Sequence, residues 1–227
     1  MSSESHVATH GAEPAFRQHH FINAEQQFDT SKLGMWLFLV TEIMFFGGLF
    51  TAYMVYRMWY PVAWAEASQK LNVWMGLGNT IVLIGSSLTM ALAVRSSQLG
   101  QNKATMRWLF LTMALGLVFL VVKGFEYREK FVLHEVPGPN FHFEGPESRH
   151  AQIFFSLYFA MTGVHALHMV IGFGLLSVIA WMAHKERFSK EWYTPVELAG
   201  LYWHFVDIVW IFLFPLLYLV DRTHKFV

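Results

Sequence analysis

Hydrophobic residues are grouped in five long runs, and polar stretches separate the runs from one another. The runs cover about residues 33–56, 71–94, 105–125, 152–182 and 196–220. At 1.5 Å per residue, a helix of ~20 apolar residues crosses a ~30 Å hydrocarbon core. The pattern therefore predicts an all-α fold, an integral membrane bundle of five transmembrane helices in residues 31–227, preceded by a polar tail of residues 1–30.

The composition agrees with a membrane protein and excludes several other classes. Hydrophobic residues make up 55% of the chain and charged residues only 14%, against about 25% charged residues in soluble domains. A net charge of zero gives no indication of nucleic acid as a partner. The chain has no cysteine, which removes disulfides, thiolate metal sites and a cysteine nucleophile. No phosphate loop, nucleophile elbow or zinc signature is present.

The polar stretches predict connecting segments. Residues 61–70 begin with Pro61 and are expected to form a short loop, and the proline-rich and glycine-rich residues 133–149 form a longer one. The N-terminal tail contains four histidines, His6, His10, His19 and His20. We expect this tail to be a surface arm, because a metal site needs ligands on a fixed scaffold with supporting contacts.

Ionisable residues inside the apolar runs are the candidate functional groups. They are Glu42, Glu126, His165, His168, His204 and Asp207. A charge in a membrane-spanning segment is costly, so each of these groups needs a partner or a function. Since His204 and Asp207 lie three residues apart, a helix places them on one face. We expect Asp207 to pair with a histidine, within a structural buried network of Glu126, His165, His168, His204 and Asp207.

Two of these acidic residues occupy special depths. Glu42 lies about 14 Å along the first predicted helix, close to the membrane midplane. A carboxylate at that depth is expected to be protonated or bound to a lipid headgroup, a partner or water, and a satisfied packing hydrogen bond is the alternative. Glu126 and the nearby Lys123 lie at the far end of the third run, where long side chains can snorkel toward water.

Two further functions are compatible with the same residues. His165 or His168 together with His204 could ligate a haem from different helices, although the first two are three residues apart and favour one local cluster. Glu42 and Asp207 could form a proton relay in a transporter. The chain has no internal repeat of the kind that many transporters show, and its five predicted helices are continuous except near Pro215.

Five short motifs resemble one known family. They are GMWLFLVTEIMFF at 34–46, LGNT at 77–80, FEY at 125–127, TGVHALHMVIG at 162–172 and YWHFVDIVW at 202–210. In this order, the motifs resemble subunit III of the haem–copper oxidases. The resemblance implies a bundle that corresponds to the last five helices of the seven-helix form, as in short forms of the family. Lys123 departs from the family, in which a neutral polar residue often stands before the Glu-Tyr pair.

The resemblance implies an accessory subunit of a cytochrome c oxidase, a complex that reduces oxygen to water and pumps protons. Such a subunit holds no haem or copper, which belong to partner subunits; it contacts subunit I, binds phospholipid, and supports proton uptake and stability during turnover. Glu42 resembles the family's lipid-linked, carbodiimide-reactive glutamate, and the other ionisable residues resemble structural core groups. A quinol oxidase subunit and an accessory protein of nitric oxide reductase share the same motifs.

The location and partners follow from the same resemblance. We expect a multi-pass protein of a bacterial inner membrane, associated with other oxidase subunits and with phospholipids, and compatible with a larger respiratory supercomplex. The short segment 95–107 contains Arg95, Lys103 and Arg107 but no acidic residue, which favours a cytoplasmic N-terminus.

Overall fold

The computed structural model describes Gln18 and residues 21–139, 141–143 and 147–220. Within these residues the chain is all-helical and has no strand. The six helices are α1 (Ala24–Trp59), α2 (Pro61–Gln69), α3 (Val73–Gln98), α4 (Asn102–Val132), α5 (Ser148–His184) and α6 (Thr194–Tyr218). All except α2 are long and apolar enough to cross a membrane, which confirms the predicted five-helix bundle. The four histidines of the tail, His6, His10, His19 and His20, lie outside the described residues.

The first helix begins earlier than its apolar run. Asn23 caps α1, since its side-chain oxygen accepts a hydrogen bond from the backbone N–H of Gln26 at 2.7 Å. The polar first turns then contact the start of α6, where Lys32 forms a 2.9 Å ion pair with Glu197. Capping and this contact stabilise helix in residues 24–30, which hydropathy alone assigns to the tail.

The prediction of a loop at residues 61–70 was wrong, because residues 61–69 form helix α2. Pro61 occupies the first helical turn, where its missing N–H has no cost. Trp64 and Ser68 lie on the buried face of α2, which packs mainly on α5. A helix of nine residues is too short to produce a clear hydropathy signal, so tertiary packing decides its structure.

Three helices end in the same way. Gly100, His134 and Glu186 follow the C-caps of α3, α4 and α5 with φ angles of 73°, 56° and 52°. The next N–H in each case returns to a carbonyl of the last helical turn, as Gln101 does to Ser96 at 2.9 Å. These are Schellman motifs, which satisfy carbonyl groups at helix ends. The connection from α3 to α4 is only three residues long, 99–101, which makes these two helices antiparallel neighbours, whereas the longer segment 133–147 joins α4 to α5.

Helix α6 forms the centre of the bundle. In the most apolar 18-residue segment of α6, 61% of the residues are buried within the protein, whereas 11% are buried in the corresponding segment of α1. Trp203 of α6 lies against Gly116 of α4 and Gly172 of α5, where an added Cβ would come within 3.0 Å of the indole ring. These two glycines therefore let three helix backbones approach around one tryptophan. Helix α1 lies at the edge and contacts α5 and α6.

Candidate functional site

The ionisable residues expected to form one network divide into separate local groups. Among the described residues, no hydrogen bond joins any two of Glu126, His165, His168, His204 and Asp207. Each group connects a different pair or trio of helices. The arrangement is therefore three interhelical contacts rather than one continuous network.

The first group joins α1 to α5 near mid-membrane. His168 Nε2 lies 3.0 Å from Glu42 Oε2, and His168 Nδ1 lies 2.8 Å from the carbonyl oxygen of Val164. Because a carbonyl only accepts, the Nδ1 atom carries a proton. The Nε2 atom then either accepts from a protonated Glu42 or donates to its carboxylate, so one proton is shared between the two side chains.

The Glu42–His168 pair is partly exposed at the surface of the bundle. The two side chains remain 19% and 12% exposed. Phe46 packs against the imidazole ring, and the hydroxyl of Tyr202 donates to the His168 carbonyl oxygen at 3.0 Å. Sequence reasoning identified both residues but did not pair them, because the helix contact α1–α5 is not visible in a single sequence.

An apolar groove runs along α1 beside this pair. Six α1 residues between Trp36 and Phe50 line it on one side, and six α6 residues between Leu201 and Phe212 on the other. Its volume is about 460 Å³, and His204 is its one ionisable lining residue. Nothing lies within 4 Å of a Cβ placed on Gly47, so this glycine widens the groove. At membrane depth, such a groove suits a hydrocarbon chain.

The second group joins α4, α5 and α6 around Lys123. The ammonium of Lys123 donates to Glu126 at 2.9 Å, to the Tyr158 hydroxyl at 3.0 Å and to the Tyr218 hydroxyl at 2.9 Å. Both tyrosines in turn donate to the other oxygen of Glu126, at 2.9 and 2.6 Å. All three ammonium protons and both carboxylate oxygens are thus satisfied inside the bundle.

The prediction that Lys123 and Glu126 snorkel toward water was therefore wrong. Their side chains are only 7% and 2% exposed and point into the bundle. The buried positions of α4 recur every three or four residues and end in charged groups: Thr105, Leu109, Thr112, Gly116, Phe119, Lys123, Glu126 and Lys130. Extending this stripe along the sequence would have placed all three charges on the buried face.

A further ion pair, not expected from the sequence, lies at the end of α4. Lys130 donates to Glu135 at 2.6 Å and to the carbonyl oxygen of Lys70 at 2.9 Å. Both side chains of the ion pair are buried. Lys130 therefore connects the end of α4 to the segment that follows α2, on the same side of the membrane as the Lys123 group.

The third group joins α3 to α6. His204 Nδ1 lies 2.7 Å from the hydroxyl of Ser87. The Asp207 carboxyl faces Ser86 and Ser87, but neither of its oxygens has a partner in good hydrogen-bond geometry among the described residues. The expected pairing of Asp207 with a histidine is thus not formed, because Ser87 of α3 is the partner that His204 reaches.

His165 is packed by aromatic rings. The centre of its ring lies 5.4 Å from the ring centre of Phe119 and 5.3 Å from that of Trp210. Trp210 lies about one helical turn after Asp207 on α6. Neither ring nitrogen has a hydrogen-bond partner within the described part of the chain. The three histidines of the haem hypothesis therefore meet different neighbours: His165 meets aromatic rings, His168 meets Glu42, and His204 meets Ser87.

Comparison with known proteins supports one family. A family described as cytochrome c oxidase subunit III matches residues 10–221. Cytochrome c oxidase subunit 3 of Synechocystis sp. is 35% identical over 193 residues, which cover 85% of this chain and 76% of the relative. The same subunit of Thermostichus vulcanus is 30% identical over 201 residues, with 88% and 92% covered. The subunit of Corynebacterium diphtheriae is 34% identical over 191 residues, with 83% and 87% covered. The chain therefore belongs to the cytochrome c oxidase subunit III family.

Proposed function

We propose that this chain is an accessory, cofactor-free subunit of a proton-pumping cytochrome c oxidase. It contacts subunit I and further oxidase subunits, which hold the haem and copper and reduce oxygen to water. The observation that best supports a structural role is the use of ionisable groups as contacts between helices. His168 of α5 pairs with Glu42 of α1, and His204 of α6 with Ser87 of α3. Lys123 of α4 donates to Tyr158 of α5 and Tyr218 of α6.

The role in the complex is tested by comparing the oxidase with and without this chain. The complex that lacks it is expected to keep its haem spectrum, because the haem sites belong to other subunits. Its proton uptake slows, and its activity decays sooner during continuous turnover. Loss of the haem bands on removal of the chain alone would contradict this division of labour.

We also propose that the groove between α1 and α6 holds a phospholipid near Glu42. The groove supplies an apolar surface for an acyl chain, and the Glu42–His168 pair supplies polar groups beside it. Carbodiimides react with protonated carboxyl groups, and the hydrogen bond to His168 is compatible with a protonated Glu42. This environment is therefore compatible with a Glu42 carboxyl group that is both lipid-linked and carbodiimide-reactive.

The proposed location is a bacterial inner membrane with the N-terminus in the cytoplasm. The ends of α3 and α5 and the start of α4 share the N-terminal side, and there Arg95, Lys103, Arg107 and Lys185 are present without an ion-pair partner among the described residues. On the opposite side, Lys123 and Lys130 are buried in ion pairs. Among the described residues, exposed lysines and arginines are more numerous on the N-terminal side (Arg95, Lys103, Arg107, Lys185, Arg187 and Lys190) than on the opposite side (Lys70, Arg128 and Arg149). The positive-inside rule therefore favours a cytoplasmic N-terminal side.

This orientation is tested by cysteine labelling, because the natural chain contains no cysteine. Single cysteines replace Lys103 and Arg128, which lie near opposite ends of α4. A membrane-impermeant maleimide should label Arg128→Cys in intact cells, and Lys103→Cys only after the membrane is opened. The reverse pattern would place the N-terminus outside.

A further inference from the structure

A charged hollow lies where the start of α4 meets the end of α5. Its volume is about 560 Å³, within the range of ~300–1,000 Å³ typical of ligand sites. Lys103, Met106 and Arg107 line it from α4, and His184 and Glu186 from the end of α5. A neighbouring hollow around residues 100–104 shares Lys103, Arg107 and Glu186, so the two form one continuous depression.

Positive charge dominates this depression. Lys103 and Arg107 are four residues apart, so their side chains project from the same face of α4. Both are exposed, and neither forms an ion pair with another described residue. Glu186 is the one acidic residue that lines either hollow. Two cations and one anion leave a net charge of +1 when His184 is neutral.

The backbone adds donors to the same place. Gln101, the N-cap of α4, makes no side-chain capping hydrogen bond. The first N–H groups of a helix have no intrahelical acceptor and carry the positive end of the helix dipole. Those of Asn102, Lys103 and Ala104 belong to residues that line the depression. The structure thus places side-chain cations and free amide donors together, a combination that favours a phosphate group.

The surface that continues from this depression is apolar. On α4, Phe110 and Leu117 follow Lys103 and Arg107 toward the membrane centre, and each is 56% exposed. On α5, Trp181 is 55% exposed about one turn before the helix ends. A contact from Ser177 to Met113 at 3.7 Å shows that α4 and α5 remain adjacent along this path. A ligand here would therefore have a charged head at the membrane boundary and a hydrocarbon body below it.

We propose that this depression, which we name the α4–α5 headgroup site and define by Lys103, Arg107 and Glu186, binds an anionic phospholipid of the phosphatidylglycerol class. Lys103 and Arg107 pair with the phosphodiester, whose single negative charge balances the net charge of the site. Glu186 accepts hydrogen bonds from the headgroup hydroxyls. The site is separate from the α1–α6 groove, so this proposal does not rest on the function proposed above.

Free phosphate is the other source of the same chemistry, and the test separates the two. The full-length chain is placed in phosphatidylcholine nanodiscs, and binding of phosphatidylglycerol is measured by native mass spectrometry over a range of lipid fractions. The variant Lys103→Gln/Arg107→Gln is compared with the control Arg128→Gln/Lys185→Gln, which removes two exposed cations that do not line the site. The swap Lys103→Arg/Arg107→Lys retains both charges.

The site variant should bind phosphatidylglycerol about thirtyfold more weakly, since each interfacial cation contributes ~1 kcal/mol to anionic lipid binding. The control pair and the charge swap should bind within about twofold of the unaltered chain. Equal losses in the site and control variants would overturn the proposal, because the attraction would then be nonspecific. Equal retention of phosphatidylcholine, or displacement of the lipid by millimolar inorganic phosphate, would also overturn it.

Discussion

Lys123 shows how a single residue makes a buried acid tolerable. Its ammonium neutralises Glu126, and the hydroxyls of Tyr158 and Tyr218 complete the hydrogen bonds of both ions. Without this cation, Glu126 would be a buried carboxylate held by neutral donors alone. The sequence identified Glu126 as a group that needs a partner and Lys123 as unusual. It did not reveal the tyrosines, because they come from α5 and α6.

Lys123→Met should destabilise the bundle by roughly 3–5 kcal/mol, because it leaves Glu126 buried without its counter-charge. Unfolding of the purified chain in mixed detergent and SDS micelles measures this change. Arg128→Met, on the exposed side of α4, serves as the control and should have little effect. The double variant Lys123→Met/Glu126→Gln should recover much of the loss. A double variant no more stable than Lys123→Met would contradict this account.

Glu42→Gln tests the shared proton at the α1–α5 contact. The substitution should abolish carbodiimide labelling of the chain at this position and leave the haem spectrum of the complex unchanged. We expect fewer retained phospholipids and a shorter lifetime during turnover, since the groove loses its ionisable neighbour. Glu129→Gln, at an exposed position of α4, is the matched control. Labelling that persists in Glu42→Gln and disappears in the control would exclude Glu42 as the reactive group.

At the scale of elements, hydropathy predicted the five spans but not the contacts that order them. The spans are visible because lipid requires about 20 apolar residues in each helix. Hydropathy does not reveal helix α2, because the helix is short, but α2 contributes a hydrogen bond to the end of α6. Ser68 of α2 donates to the carbonyl of Leu217 at 2.9 Å, and Tyr53 of α1 donates to the carbonyl of Leu216. These side chains satisfy carbonyls in the last turn of α6.

Ser68→Ala should cost about 1–3 kcal/mol, because the Leu217 carbonyl is then left without its hydroxyl donor in a buried position. Thermal unfolding in detergent would measure this loss. Ser156→Ala is the comparison, because the Ser156 hydroxyl only returns to the Gln152 carbonyl of its own helix and is exposed. Equal stability of the two variants would show that α2 does not contribute through this hydrogen bond.

Gly172→Ala tests the close approach of α5 and α6. An added methyl group would meet the Trp203 ring at 3.0 Å, and overpacking of this kind costs about 1–3 kcal/mol. Gly174→Ala, two residues along the same helix, meets nothing within 4 Å and should be neutral or slightly stabilising. Differential scanning fluorimetry of both variants provides the comparison. Greater damage from Gly174→Ala would contradict the packing described around Trp203.

At the scale of the whole molecule, the bundle arranges its polar groups by position. The Lys123 and Lys130 groups hold one end of α4 against its neighbours, while Lys103 and Arg107 remain accessible at the other end. The family that the sequence motifs predicted agrees with the comparisons, because the cytochrome c oxidase subunit III family matches this chain over residues 10–221. Partner subunits were not predictable in detail, because one chain does not record which surfaces its neighbours cover.

The most direct test of the accessory role is purification in mild detergent through a tag on this chain, followed by an optical spectrum and identification of the co-purifying subunits by mass. We expect bands of haem a type that accompany larger subunits and disappear when this chain is isolated. The haem types and partner masses also distinguish a cytochrome c oxidase from a quinol oxidase or a nitric oxide reductase. A colourless chain without partners, or an isolated chain with its own Soret band, would contradict the account.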